Sequence, residues 1–160
     1  MASNARIRLA SPEDAGDIAN VLRESFLEFE GLYTPPGFAA TTPDAQEVGY
    51  RIGEGPAWVA VWKDRIVGSA SAVLEGEKGL YVRGVAVVPS ARGLGIAEAL
   101  MNEVENFGRQ EGCARLLLTT TPFLTSAIRL YQRLGFTLIP DGKADLFGTP
   151  LVKMEKALSH

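Results

Sequence analysis

Histidine and cysteine are almost missing from this chain of 160 residues, which has one of each, His160 at the last position and Cys113. A lone cysteine forms no internal disulfide. A lone terminal histidine argues against Ser-His-Asp and Cys-His hydrolases and against histidine-based metal sites, and no metal is expected. A basic surplus is missing as well: 16 Lys and Arg stand against 19 Asp and Glu, a net charge of -3. Nucleic-acid backbones are held by clustered cations, so no general nucleic-acid partner is expected. No apolar run is long enough to span a membrane, and Met1 to Arg6 lacks the apolar stretch of a signal peptide. The expected compartment is the cytoplasm, with no membrane partner. Chemistry is left to carboxylates, tyrosines, backbone amides and a bound cofactor.

What is present fits one domain over 1–160, long enough to bury roughly 68 to 70% of its unfolded surface. Val85 to Val88 is a continuous β-branched and apolar run, as expected of a strand buried on both faces, and Pro89 ends its ladder. Beyond the turn, Ile96, Ala97, Leu100, Met101, Val104 and Phe107 recur at helical spacing. Between strand and helix stand Arg92, Gly93 and Gly95. A helix N-terminus carries about half a positive charge, and glycines let a phosphate approach the backbone N–H groups, so this turn can hold an anion; a solvated surface turn is the other reading. It is not a dinucleotide loop, because Glu98 stands where that fingerprint needs a small residue, and no Gly-Lys-Ser/Thr follows for a nucleoside-triphosphate loop.

Around this unit the chain reads as strands and helices in one succession. Arg6 to Ala10 alternates as a first strand, and Ser11-Pro12-Glu13-Asp14 opens a helix expected to end near Glu30-Gly31. Gly31 to Thr42, with Pro35 and Pro36, reads as a loop, and a short helix follows from Thr42-Pro43-Asp44 with Ala45, Val48 and Ile52 as its apolar face. Ala57 to Lys63 and Ile66 to Leu74 form a hairpin across Asp64-Arg65, and Leu80 to Val88 adds a third strand. After the amphipathic helix, Ala114 to Thr120 is fit for a strand parallel to the third. A second helix carries Ala127, Ile128, Leu130, Tyr131 and Leu134 and stops at Gly135; two strands separated by a Pro140-Asp141-Gly142 turn close the chain.

Two motifs now stand together. Arg92, Gly95 and Ala97 match Gln/Arg-x-x-Gly-x-Gly/Ala, and Ala127 to Phe136 reads Ala-Ile-Arg-Leu-Tyr-Gln-Arg-Leu-Gly-Phe. With a β-meander before them and a strand pair after, the chain resembles the GCN5-related N-acetyltransferases. The resemblance implies an α/β (α+β) fold, a mixed, mostly antiparallel sheet of six to seven strands flanked by about four helices. It further implies an acetyl group moved from acetyl-coenzyme A to an amine by direct attack within a ternary complex. By the same resemblance Gly93, Leu94, Gly95, Ile96 and Ala97, with Arg92 beside them, hold the pyrophosphate, and the Val87 main chain pairs with the pantetheine arm. Tyr131 assists the departing sulfur.

The acceptor side is less defined. The resemblance calls for an acid on the strand before the turn, but Leu80 to Gly84 has none, which leaves Glu28, Glu30 and Glu75 as candidate bases. Phe123-Leu124-Thr125 replaces an asparagine often found before the Leu-Tyr helix. Glu30 and Tyr33, on the segment from Glu28 to Pro36, are the implied lining of the acceptor groove, where acids beside aromatics suit a cationic or polar amine. Cys113 reads as a small residue at a helix-to-strand junction, since no histidine is available to activate it. A small-molecule amine is the leading acceptor. A non-catalytic acyl-coenzyme A-binding module and an acetyltransferase acting on protein lysines or N-termini are the alternatives, and the resemblance leaves room for a homodimer.

Overall fold

The computed structural model describes residues 5–159, so His160 and the first four residues of the Met1 to Arg6 segment lie outside the described residues. The alternating and β-branched stretches become seven strands: β1 (Arg6–Leu9), β2 (Ala57–Trp62), β3 (Arg65–Glu75), β4 (Gly79–Val87), β5 (Arg115–Thr120), β6 (Thr137–Leu146) and β7 (Thr149–Ala157). They form one sheet in the order β1-β2-β3-β4-β5-β7-β6. Every neighbouring pair is antiparallel except β4 and β5. Five helices accompany them: α1 (Ala15–Phe26), α2 (Pro35–Thr41), α3 (Ala45–Glu54), α4 (Ile96–Gln110) and α5 (Thr125–Arg133). The core lies where α4 packs on the sheet and α1, joined by α3, packs on β3 and β4. Val59, Leu80, Leu100, Val104, Leu116 and Met154 are essentially sealed from water there.

Four details depart from the sequence expectations. The first helix does not run to Glu30; it tightens into a 3-10 segment at Leu27–Leu32. The expected loop from Gly31 to Thr42 contains α2, the fifth helix, because Thr34 caps it by accepting from the Gly37 N–H at 3.0 Å and Pro35 sits at its first position, where no donor is needed. The hairpin between β2 and β3 turns at Lys63 and Asp64, which hold φ of 52° and 62°. Pro140-Asp141-Gly142 is an irregularity inside β6, not the closing turn, which falls at Phe147-Gly148. As the last strand of the sheet, β6 tolerates a proline because one of its edges pairs with no other strand among the described residues.

A fifth departure shapes the site. Val85 to Val88 is not buried on both faces: Ala86 and Val88 are buried, while Val85 and Val87 are half-exposed. The cause is local. β4 pairs with β5 only from Gly79 to Tyr81, and the register of β4 against β3 slips between Ser69 and Ser71, beside Gly84. Gly84 has φ of +66°, a conformation that a side chain disfavours, and its carbonyl accepts from Ser69 Oγ at 3.2 Å. A strand bulged in this way bends, and the sheet opens between β4 and β5.

Candidate active site

Three cavities run in line along this opening. The first is a recess of about 190 Å³ at the start of α4, lined by Arg92, Gly93, Gly95, Glu98 and Arg133 among others. Gly93 and Gly95 hold φ of 80° and 77°, and a Cβ at either would meet no atom within 4 Å, so both leave the approach to the backbone clear. The first bond inside α4 runs from the Ala99 N–H to the Gly95 carbonyl, which places the amides of Ile96, Ala97 and Glu98 ahead of the helical ladder. Free amides at a helix start can hold an anion, and the wall around them carries two cations, Arg92 and Arg133, and one acid, Glu98.

The recess continues into a groove of about 350 Å³, with which it shares Val87, Arg92, Ala97 and Leu130. Val85 and Val87 form its floor on β4, past the point where pairing with β5 has ended. Arg92 is tied back here: its guanidinium reaches Glu28 at 2.5 Å and the Ser25 carbonyl at 2.9 Å. That ion pair, invisible in the sequence because 64 residues separate its members, draws Glu28 to the recess side of the groove.

The groove then meets a third cavity, of about 330 Å³, lying over the splayed ends of β4 and β5. The two share Phe26, Val85, Leu124, Ala127 and Tyr131. Tyr131 is therefore at the junction. Only 7% exposed, its phenol has its pKa pushed well above the usual value by burial, so it keeps its proton at neutral pH. Tyr33 lines the third cavity and packs edge-on against Phe123 (4.9 Å between ring centres) and Phe38 (5.8 Å). α2 is pinned to the β6–β7 hairpin beside this cavity, through Thr34 N–H to Thr149 Oγ1 at 2.9 Å and Thr34 Oγ1 to the Phe147 carbonyl at 2.8 Å.

The structure thus gathers Val87, Arg92, Gly93, Gly95, Ile96, Ala97, Tyr33 and Tyr131 along one path. The Leu94 side chain packs against the core while its neighbours Gly93 and Gly95 line the recess, and Glu30 is exposed and lines none of the three cavities. Glu75 is exposed at the far end of β3. Among the described residues no Asp or Glu lines the third cavity; its charged members are Arg51 of α3 and Arg83 of β4. Sequence reading missed these two, since no motif joins them and only the fold brings them to the site; Arg133 stood inside the Ala127 to Phe136 motif but was given no role there. Cys113 is buried between α4 and β5, its thiol pKa pushed up by burial and by Glu111.

Residues 19–136 match the model of the acetyltransferase (GNAT) family. The chain is 31% identical over 136 residues to the uncharacterized N-acetyltransferase YjgM of Escherichia coli strain K12, covering 81% of this chain and 80% of that protein. Its fold is similar to that of a GNAT-family acetyltransferase from Staphylococcus aureus Mu50, with a TM-score of 0.80, 16% identity, and coverage of 97% of this chain and 99% of that one. The PaiA N-acetyltransferase of Thermoplasma acidophilum, solved in complex with coenzyme A, matches with a TM-score of 0.79 at 18% identity over 97% of this chain and 99% of its own. No helix among the described residues is long and apolar enough to cross a membrane.

Proposed function

The chain belongs to the GNAT family of acetyltransferases, and from that premise we propose that it moves the acetyl group of acetyl-coenzyme A to the amine of a small molecule by direct attack. The observation that carries this reading is the line of three cavities meeting at Tyr131. A donor with a charged pyrophosphate at one end and an acetyl thioester at the other matches that line: anion recess, groove, then junction. The α4 amides, Gly93 and Gly95 take the pyrophosphate with Arg92 and Arg133 beside it, and the β4 edge at Val85 and Val87 offers main-chain groups to the pantetheine arm. The coenzyme A bound in the Thermoplasma acidophilum protein, which shares the fold, supports the same assignment.

At the junction the amine forms a C–N bond to the acetyl carbon while the C–S bond breaks. Tyr131, protonated at neutral pH, gives its proton to the leaving sulfur and takes one back, through water, from the amine nitrogen that has formed the new bond. The proton lost by the amine has no carboxylate to receive it in the acceptor cavity. It passes by water to Tyr131, past the hydrogen-bonded hydroxyls of Tyr81 and Thr119 at 2.8 Å. A cavity of about 330 Å³ lies at the small end of the usual range of ligand sites, which favours a small acceptor over a protein segment.

The test is coenzyme A thiol release on a panel of small amines with wild-type and Tyr131→Phe protein. Wild-type turnover is expected, with kcat reduced about 10²- to 10⁴-fold in the variant and acetyl-coenzyme A affinity nearly unchanged. Tight cofactor binding with no turnover on any amine would sink the enzymatic reading, and a fully active Tyr131→Phe protein would remove that phenol from the mechanism.

A further inference from the structure

Arg51 and Arg83 come from different elements, α3 and β4, and both line the acceptor cavity. Among the described residues their hydrogen-bond partners are few. Arg83 gives Nη2 to Glu54 Oε1 at 2.5 Å, but Glu54 is about half exposed and does not line the cavity, and Arg83 Nε is buried with no hydrogen-bond partner. Arg51 reaches only the Ala40 carbonyl, at a long 3.4 Å. Each guanidinium carries five N–H donors. Burial and the neighbouring Arg83 both work against the charge on Arg51, with Glu47 and Glu54 as partial counterweights. Two guanidiniums held near one another at a cavity wall, with no carboxylate lining that cavity, form an arrangement that an incoming anion relieves.

We propose that the acceptor is an amino carboxylate, its carboxylate held by Arg51 and Arg83 and its amine directed at the Tyr131 junction. The inference rests on the acetyl-transfer reading and narrows its substrate class. The remaining wall fits the rest of such a molecule: Phe26, Val85, Leu118, Leu124 and Leu151 are apolar and suit an aliphatic or aromatic side chain. The same charges help the chemistry. An ammonium beside two guanidiniums loses its proton more readily than in water, so the cavity favours the neutral amine that attacks, without a carboxylate base. A cationic acceptor, suggested by the acids of the segment around Glu30, would meet repulsion here, and Glu30 itself faces solvent.

The experiment compares kcat/KM for apolar amino acids, each beside its amide and its decarboxylated amine, so that side chain and amine stay fixed while the carboxylate is present, masked or absent. The whole 160-residue chain is used, as wild type, Arg51→Gln, Arg83→Gln and the charge-keeping Arg83→Lys, with folding checked by circular dichroism. The acids are expected to be preferred at least about tenfold, the scale of one charge-assisted hydrogen bond. Either Gln variant should narrow that acid-to-amide ratio, with Arg83→Lys retaining part of it. Equal or better turnover of the amides or decarboxylated amines, or an acid preference that both folded Gln variants keep, overturns the amino-carboxylate inference and leaves acetyl transfer standing. Acetyl-coenzyme A binding without thiol release from any acid, amide or amine overturns both.

Discussion

Asp14 carries a measurable share of stability on a single carboxylate. Arg8 grips it with two bonds, Nη1 to Oδ2 at 2.8 Å and Nη2 to Oδ1 at 3.0 Å, and the Ser11 N–H donates to Oδ2 at 2.8 Å. The Arg8 hydrogen bonds, opposed by burial and joined by the Ser11 N–H, lower its pKa from 3.8 to about 2. A depressed carboxylate stabilises the fold at pH values above its unfolded pKa and loses that contribution as pH falls through the folded one, so the window here is about pH 4 down to pH 2. Allowing for the 40% exposure of Arg8, the contribution is about 1–2 kcal/mol at neutral pH. Asp14→Asn should lose that amount in urea unfolding at pH 7 and approach wild type near pH 2; a constant difference across that range would mean the ion pair is not its source. The sequence already marked Asp14 as part of a helix start. Its partner Arg8, like the Arg51–Arg83 pairing, was hidden because nothing local in a sequence records which side chains a fold brings face to face.

At the scale of elements, what could be read was whatever local chemistry decides. The strand, glycine turn and helix from Val85 to Gln110 were legible because Pro89, two glycines and a 3.6-residue period act within a few positions, and α5 was legible for the same reason. α2 was not, since Pro35-Pro36 signals a break as readily as a helix start, and the decision falls to the Thr34 cap and its bonds to Thr149 and Phe147 across more than 100 residues. The opening between β4 and β5 was equally illegible: it depends on a bulge at Gly84 that has meaning only once β3 is alongside. The turn before α4 yields its own prediction. At Gly95 a side chain meets no neighbour but must adopt a φ of 77°, which costs about 1–2 kcal/mol, so Gly95→Ala and Gly95→Glu should both fold. Glutamate adds like charge and bulk where the pyrophosphate is proposed to lie, so calorimetry should find acetyl-coenzyme A binding abolished in Gly95→Glu and weakened in Gly95→Ala. Unchanged affinity in a folded Gly95→Glu protein would place the phosphate site elsewhere.

Across the whole molecule, the sheet divides where the parallel pairing of β4 with β5 ends. One side is the meander β1 to β4 with α1, α3 and α4; the other is β5, β7 and β6, with α5 leading directly into β6; and direct pairing between β4 and β5 extends over only three residue pairs. The groove between them takes Val85 and Val87 from one side and Leu130 and Tyr131 from the other. A ligand seated there touches both sides, and any ligand that binds only the folded chain stabilises it by RT ln(1 + [L]/Kd), about 2.7 kcal/mol at a hundredfold excess over Kd. For a chain of this size each kcal/mol raises Tm by about 2–4 °C, so saturating acetyl-coenzyme A should raise it by about 5–10 °C. Hydrogen exchange should slow together at the end of β4 and along α5, since the opening that exposes either must first release the ligand. Protection confined to the α4 turn, with α5 exchanging as before, would show that the ligand holds the phosphate recess alone and does not span the division.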